Sequence, residues 1–145
     1  MKLTAMACAA LLLGGCATAP VSRNAAKDVP AERLFAFQQP TSADDGSLLL
    51  IRDSGMLGSG CRIVIYIDDV RAASFSTSEK ATLNITAGRH ILASGPTGNG
   101  LCGIGDGKES MKLSTAVDIK AQHTTVYRIA IGASGAGVAV MPVTL

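Results

Sequence analysis

The sequence predicts an all-β protein: a small antiparallel β-sandwich of about seven or eight strands, preceded by a cleaved leader and a flexible tether. Three observations carry that expectation. In Cys61-Arg62-Ile63-Val64-Ile65-Tyr66-Ile67-Asp68-Asp69 the odd-numbered positions from Cys61 to Ile67 are apolar and the two Asp supply a turn, which is the period-2 mark of a strand entering a hairpin. Short runs of the same kind recur down the chain, with Gly, Asp, Asn or Ser in every gap. No amphipathic helical period separates them, so alternating β-α units are excluded.

The chain opens Met1-Lys2-Leu3 and continues apolar to Leu13. A positive start, a short apolar run and small residues describe an export signal; a membrane span needs roughly 20 apolar residues. At Leu13-Gly14-Gly15-Cys16 the pattern resembles the lipobox of bacterial lipoproteins. That resemblance implies removal of residues 1–15 and diacylation of the Cys16 sulfur, giving a membrane partner through acyl chains. Ala17 stands where an Asp would retain such a protein in the inner membrane, so the implied location is the outer membrane, facing the periplasm.

Residues 16–45 are rich in Ala, Pro, Ser and charge, with Pro20, Pro30 and Pro40 along them, and show no period-2 pattern. They are expected to be a tether with little capacity to bury surface. Within them, residues 28–37 offer a Pro at a first helical position and suggest a short helix or arm that docks Leu34, Phe35 and Phe37.

The β domain is expected over 46–145. Leu48-Leu49-Leu50-Ile51 is short enough for a buried strand. The 61–67 strand follows as a central one, then 70–75, 80–85 with Ala81, Leu83 and Ile85 on one face, and 89–94, laid out as a meander. After a Gly-rich excursion come 115–119, 124–131 and 138–145, and Pro142 assigns the last of these to an edge.

Of four Cys, Cys8 leaves with the leader and Cys16 is committed to lipid, which leaves Cys61 and Cys102. In an oxidising periplasm such a pair is expected to form a disulfide, stabilising by about 4 kcal/mol on the chain-entropy scale. A redox or metal pair is the alternative, but neither CxxC spacing nor a His ligand set accompanies it.

The excursion contains G-x-G-x-x-G at Gly98, Gly100 and Gly103, and Gly107-Lys108 further on. No helical period follows to present its amides to a pyrophosphate, and Glu109 replaces the Ser or Thr of a phosphate loop, so no nucleotide is expected. The glycines, Gly105 included, fit turns in a stapled loop. Chemistry is equally sparse. His90 and His123 are the only histidines, Asp68 and Asp69 fit a hairpin turn, and no Ser sits in a strand-elbow-helix context. Neither a catalytic set nor a metal site nor a cofactor is expected. Charge is nearly balanced, 13 Lys and Arg against 11 Asp and Glu, without a basic cluster. With three Phe, two Tyr and no Trp there is no stacking platform either, so nucleic acid is excluded.

Arg52-Asp53-Ser54-Gly55, Gly58-Ser59-Gly60-Cys61, Tyr66-Ile67-Asp68-Asp69, Ala87-Gly88-Arg89-His90 and Gly100-Leu101-Cys102-Gly103 together resemble an uncharacterised family of small proteobacterial lipoproteins. The middle of the chain is also similar to PEGA-type β modules. Asp69 departs from the module's Gly and Ala87 from its Pro. The resemblance implies fold and compartment, and no activity.

The expected function is that of a membrane-anchored, non-catalytic envelope module that binds another envelope protein. A small-ligand-binding lipoprotein and a periplasmic hydrolase or its inhibitor are the alternatives. Recognition is expected on two loops, one with Asp53, Ser54, Gly58 and Ser59, the other with Gly98, Gly100, Gly103 and Gly105.

Overall fold

A computed structural model describes residues 18–56, 58–97, 113–131 and 137–143. Among them run the strands β1 (Lys27–Asp28), β2 (Asp45–Arg52), β3 (Arg62–Ile67), β4 (Val70–Phe75), β5 (Glu79–Thr86), β6 (Gly88–Thr97), β7 (Leu113–Ile119), β8 (Thr124–Ile131) and β9 (Val138–Pro142). They form two sheets, one ordered β1-β5-β2-β8-β9 and the other β4-β3-β6-β7. Pairing is antiparallel except for β1 with β5 and β2 with β8. The fold is therefore the expected all-β sandwich.

Alternation decides which side chains meet. Ile63, Ile65 and Ile67 of β3, Leu83 and Ile85 of β5, Leu92 of β6, Val117 and Ile119 of β7 and Ile129 of β8 are buried between the sheets with Phe75. The core is aliphatic, as the scarcity of aromatics requires. β9 lies at an edge, where Pro142 removes no ladder bond.

Two expectations need correction. Strands β3 to β6 are not a continuous meander: β5 crosses to the opposite sheet, where it pairs with β2, while β6 returns to pair with β3. An inward-facing Ala81, Leu83 and Ile85 would satisfy either sheet, because alternation fixes a face and not a partner. The second concerns the tether. From Thr18 to Phe37 the chain is fastened to the domain.

That docking explains why β2 is apolar at consecutive positions. Leu48 and Leu50 enter the main core, whereas Leu49 and Ile51 point outward and are covered by Ala26 and Val21 together with Val126. Ala19 bridges Ser54, β1 pairs with β5, and Val29 is buried in the main core. The expected helix is only a single 3-10 turn, Ala31–Arg33, with Pro30 preceding it at the cap. Leu34 then bridges Ala73 on the edge of β4, and Phe37 packs against the core, while Phe35 stays exposed under the Arg71 guanidinium.

The sandwich thus has two ends. At the proximal end lie Thr18, the 53–61 turn, the 76–78 turn and Ile131; at the distal end lie Asp45, the Asp68-Asp69 turn, residues 86–88 and the 120–123 turn. No helix among the described residues is long and apolar enough to cross a membrane.

Candidate functional site

The proximal end is built around Arg52. Its position continues the inward phase of Leu48 and Leu50, so the guanidinium enters the end of the core and must find acceptors there. It donates to the carbonyls of Cys61 at 2.7 Å, Phe75 at 2.7 Å and Gly58 at 2.8 Å. Burial pushes its pKa down, partly offset by the charge of Glu79. Next in the chain, Asp53 accepts from Arg128 Nε at 3.0 Å and from its terminal nitrogen, and Thr18 Oγ1 donates to it at 3.3 Å. That contact raises the Arg128 pKa.

Asp53 is 2 % exposed, so it does not present itself as a recognition residue. Its carboxylate fastens the turn from within. Ser54 pairs with Ala19 through both backbone groups, and Ser59, which is exposed, offers its carbonyl to the Thr77 hydroxyl at 3.3 Å. Gly58 has φ +65°, and a Cβ there would lie 2.5 Å from the tip of the Ile131 side chain, so any other residue would be strained and would displace Ile131. Beside it Cys61 is half-buried at the head of β3. Cys16, Cys102, Gly98, Gly100, Gly103 and Gly105 lie outside the described residues.

At the distal end His90 is held by two acceptors, with Nδ1 2.6 Å from Asp68 Oδ2 and Nε2 2.9 Å from the Thr86 carbonyl oxygen. Asp68 also accepts from the Ile91 amide at 2.8 Å. That amide, and then His90, hold the Asp68 carboxyl below its ordinary pKa. Asp68 and Asp69 have φ of 47° and 65°, the double left-handed turn that suits a two-residue hairpin.

The concave surface of interest is also distal. Edge strands β7 and β9 approach each other at the proximal side, where the Ser94 hydroxyl lies 3.0 Å from the Val138 carbonyl and 3.4 Å from that of Leu113. Toward the distal side the seam opens into a shallow cleft of about 340 Å³. Asp118 and Lys120 line one wall, Pro142 and Val143 the other, with His123 and Tyr127 between. His123 Nδ1 is 2.8 Å from the carbonyl of Ala121.

No family model matches the chain, and no curated protein matches it. Among the described residues no cluster of His, Cys, Asp or Glu could hold a metal ion. Sequence patterns assign no role to Arg52, Arg128 or the cleft. An Arg on the inward phase of an apolar strand is the available signal for the first; the cleft depends on which strands become edges, and alternation does not encode that.

Proposed function

We propose that the chain is a lipoprotein acylated on Cys16, held at the outer membrane and facing the periplasm, whose sandwich is a non-catalytic module that binds an envelope protein through the distal cleft. The supporting observation is how the chemically capable side chains are used. Asp53 with Arg128, Glu79 with Arg33, and His90 with Asp68 and the Thr86 carbonyl are engaged in holding turns and strands together. By contrast the seam between two edge strands is open, and such edges take up extended segments of a partner. The resemblance to small proteobacterial lipoproteins and the Leu13-Gly14-Gly15-Cys16 motif support the anchor. A disulfide between Cys61 and Cys102 belongs to the same proposal.

A photo-cross-linking residue at Thr125, on the cleft, tests the reading in intact envelopes, with Thr82, exposed on β5, as the comparison. A discrete protein adduct from position 125 alone is expected. Equal or absent adducts at both positions would overturn it. The cleft volume, which falls within the range of small-molecule sites, favours ligand binding as the second reading. That reading requires a small molecule retained by the wild-type protein in native mass spectrometry and lost on Tyr127→Ala.

A further inference from the structure

We infer that the proximal end of the sandwich rests directly on the bilayer, with Met56 entering the boundary between headgroups and acyl chains. The inference rests on the proposed acylation of Cys16 and adds to it an orientation and a contact surface.

Chain length is the first observation. Thr18 is already fixed to the domain by its hydroxyl, 3.3 Å from both Asp53 Oδ2 and the Ile131 carbonyl, and Ala19 is fixed by two backbone bonds to Ser54. Only Ala17 separates Thr18 from Cys16, and two residues of extended chain reach at most about 7 Å. An acylated Cys16 therefore holds the proximal end within that distance of the lipid. A long leash, which would let the domain turn freely, is ruled out because residues 18–37 are spent on docking.

The character of that end is the second observation. Met56 is 88 % exposed at the tip of the turn, the most exposed large apolar side chain among the described residues. Within the turn its described neighbours in the chain, Ser54, Gly55, Gly58, Ser59 and Gly60, carry no charge, and the exposed charges of Arg62 at the head of β3 and Lys27 beside the 76–78 turn are positive, as anionic headgroups require. The charges within the turn, Arg52 and Asp53, are each 2 % exposed and bonded internally, so bringing this surface to a membrane leaves neither of them newly desolvated. The distal end differs in exposing acidic groups together with basic ones, namely Asp44, Asp68, Asp69, Arg89 and Lys120. One end suits the lipid boundary and the other suits water. The eight residues of β2 span about 25 Å, so the cleft is held that far above the membrane, open to the periplasm.

The chain contains no Trp, so single Trp reporters are unambiguous. Acylated Met56→Trp and Ser59→Trp variants would be placed in phosphatidylethanolamine–phosphatidylglycerol vesicles containing brominated lipid, beside Val70→Trp at the distal end, where Val70 is 48 % exposed. Quenching at 56 and 59 should exceed that at 70 several-fold, with a blue-shifted emission at 56. Flotation separates the two readings. Floating protein whose reporters at positions 56 and 59 are quenched no more than the reporter at position 70 overturns the orientation and leaves the anchor standing. Protein that fails to float because Cys16 carries no acyl chain overturns the anchor, and the orientation with it.

Discussion

Single residues show how far local rules carry this chain. Arg52 follows four apolar residues and keeps the phase of Leu48 and Leu50, so it had to end in the core with three carbonyls around it. Asp68 and Asp69 both take positive φ, where an L side chain costs about 1 kcal/mol relative to glycine unless local hydrogen bonds of a short polar group offset it. Asp68 offsets that through the Ile91 amide and His90, whereas Asp69 is exposed on the turn. Asp69→Gly should therefore raise stability by about 0.5–1 kcal/mol in urea denaturation, and a loss of stability would show that Asp69 has a contact of its own.

At the scale of elements, the attachment of the N-terminal segment is the feature composition concealed. Residues 18–37 are rich in Ala, Pro and charge, yet Leu49 and Ile51 on the outer phase of β2 already needed a cover. Leu49→Ala should cost about 3 kcal/mol, as for a core leucine, where a solvent-facing one would cost little. The second fastening is the fork of Arg33 on Glu79, with distances of 2.7 and 2.5 Å, and both side chains largely buried. For Glu79, desolvation raises the pKa, but the Arg33 bonds and the Ser76 amide outweigh it and leave the carboxyl below its ordinary value. A depressed folded-state pKa contributes stability that is fully present above the unfolded value of 4.5 and is lost as the pH falls through the folded one. Glu79→Gln should thus cost about 2 kcal/mol at neutral pH and progressively less below pH about 4. A pH-independent difference between the two proteins would contradict this account of the pair.

For the whole molecule, faces were legible and partners were not. Period 2 placed Ile63, Ile65, Ile67, Ala81, Leu83 and Ile85 correctly, and Pro142 marked an edge, because both follow from backbone geometry within one strand. The exchange of β5 between sheets, the parallel pairing of β2 with β8, and the cleft between β7 and β9 are long-range consequences of closing the sandwich, and no local pattern encodes them. The core runs without interruption through β2 to β9, so the proposed bond between Cys61 and Cys102 should be dispensable for the fold. A Cys61→Ser, Cys102→Ser double variant should lose about 4 kcal/mol yet keep a β-type circular dichroism spectrum. Two free thiols in the non-reduced protein would refute the bond, and complete unfolding of the variant would refute the self-sufficient core.

The proposed anchor on Cys16 underlies the proposed compartment, the orientation and the direction in which the cleft would face. Labelled palmitate incorporation, followed with membrane flotation of wild type and Cys16→Ala, measures it directly. The wild type should carry label and float, and the variant should do neither. Unchanged labelling and flotation in Cys16→Ala would contradict the account.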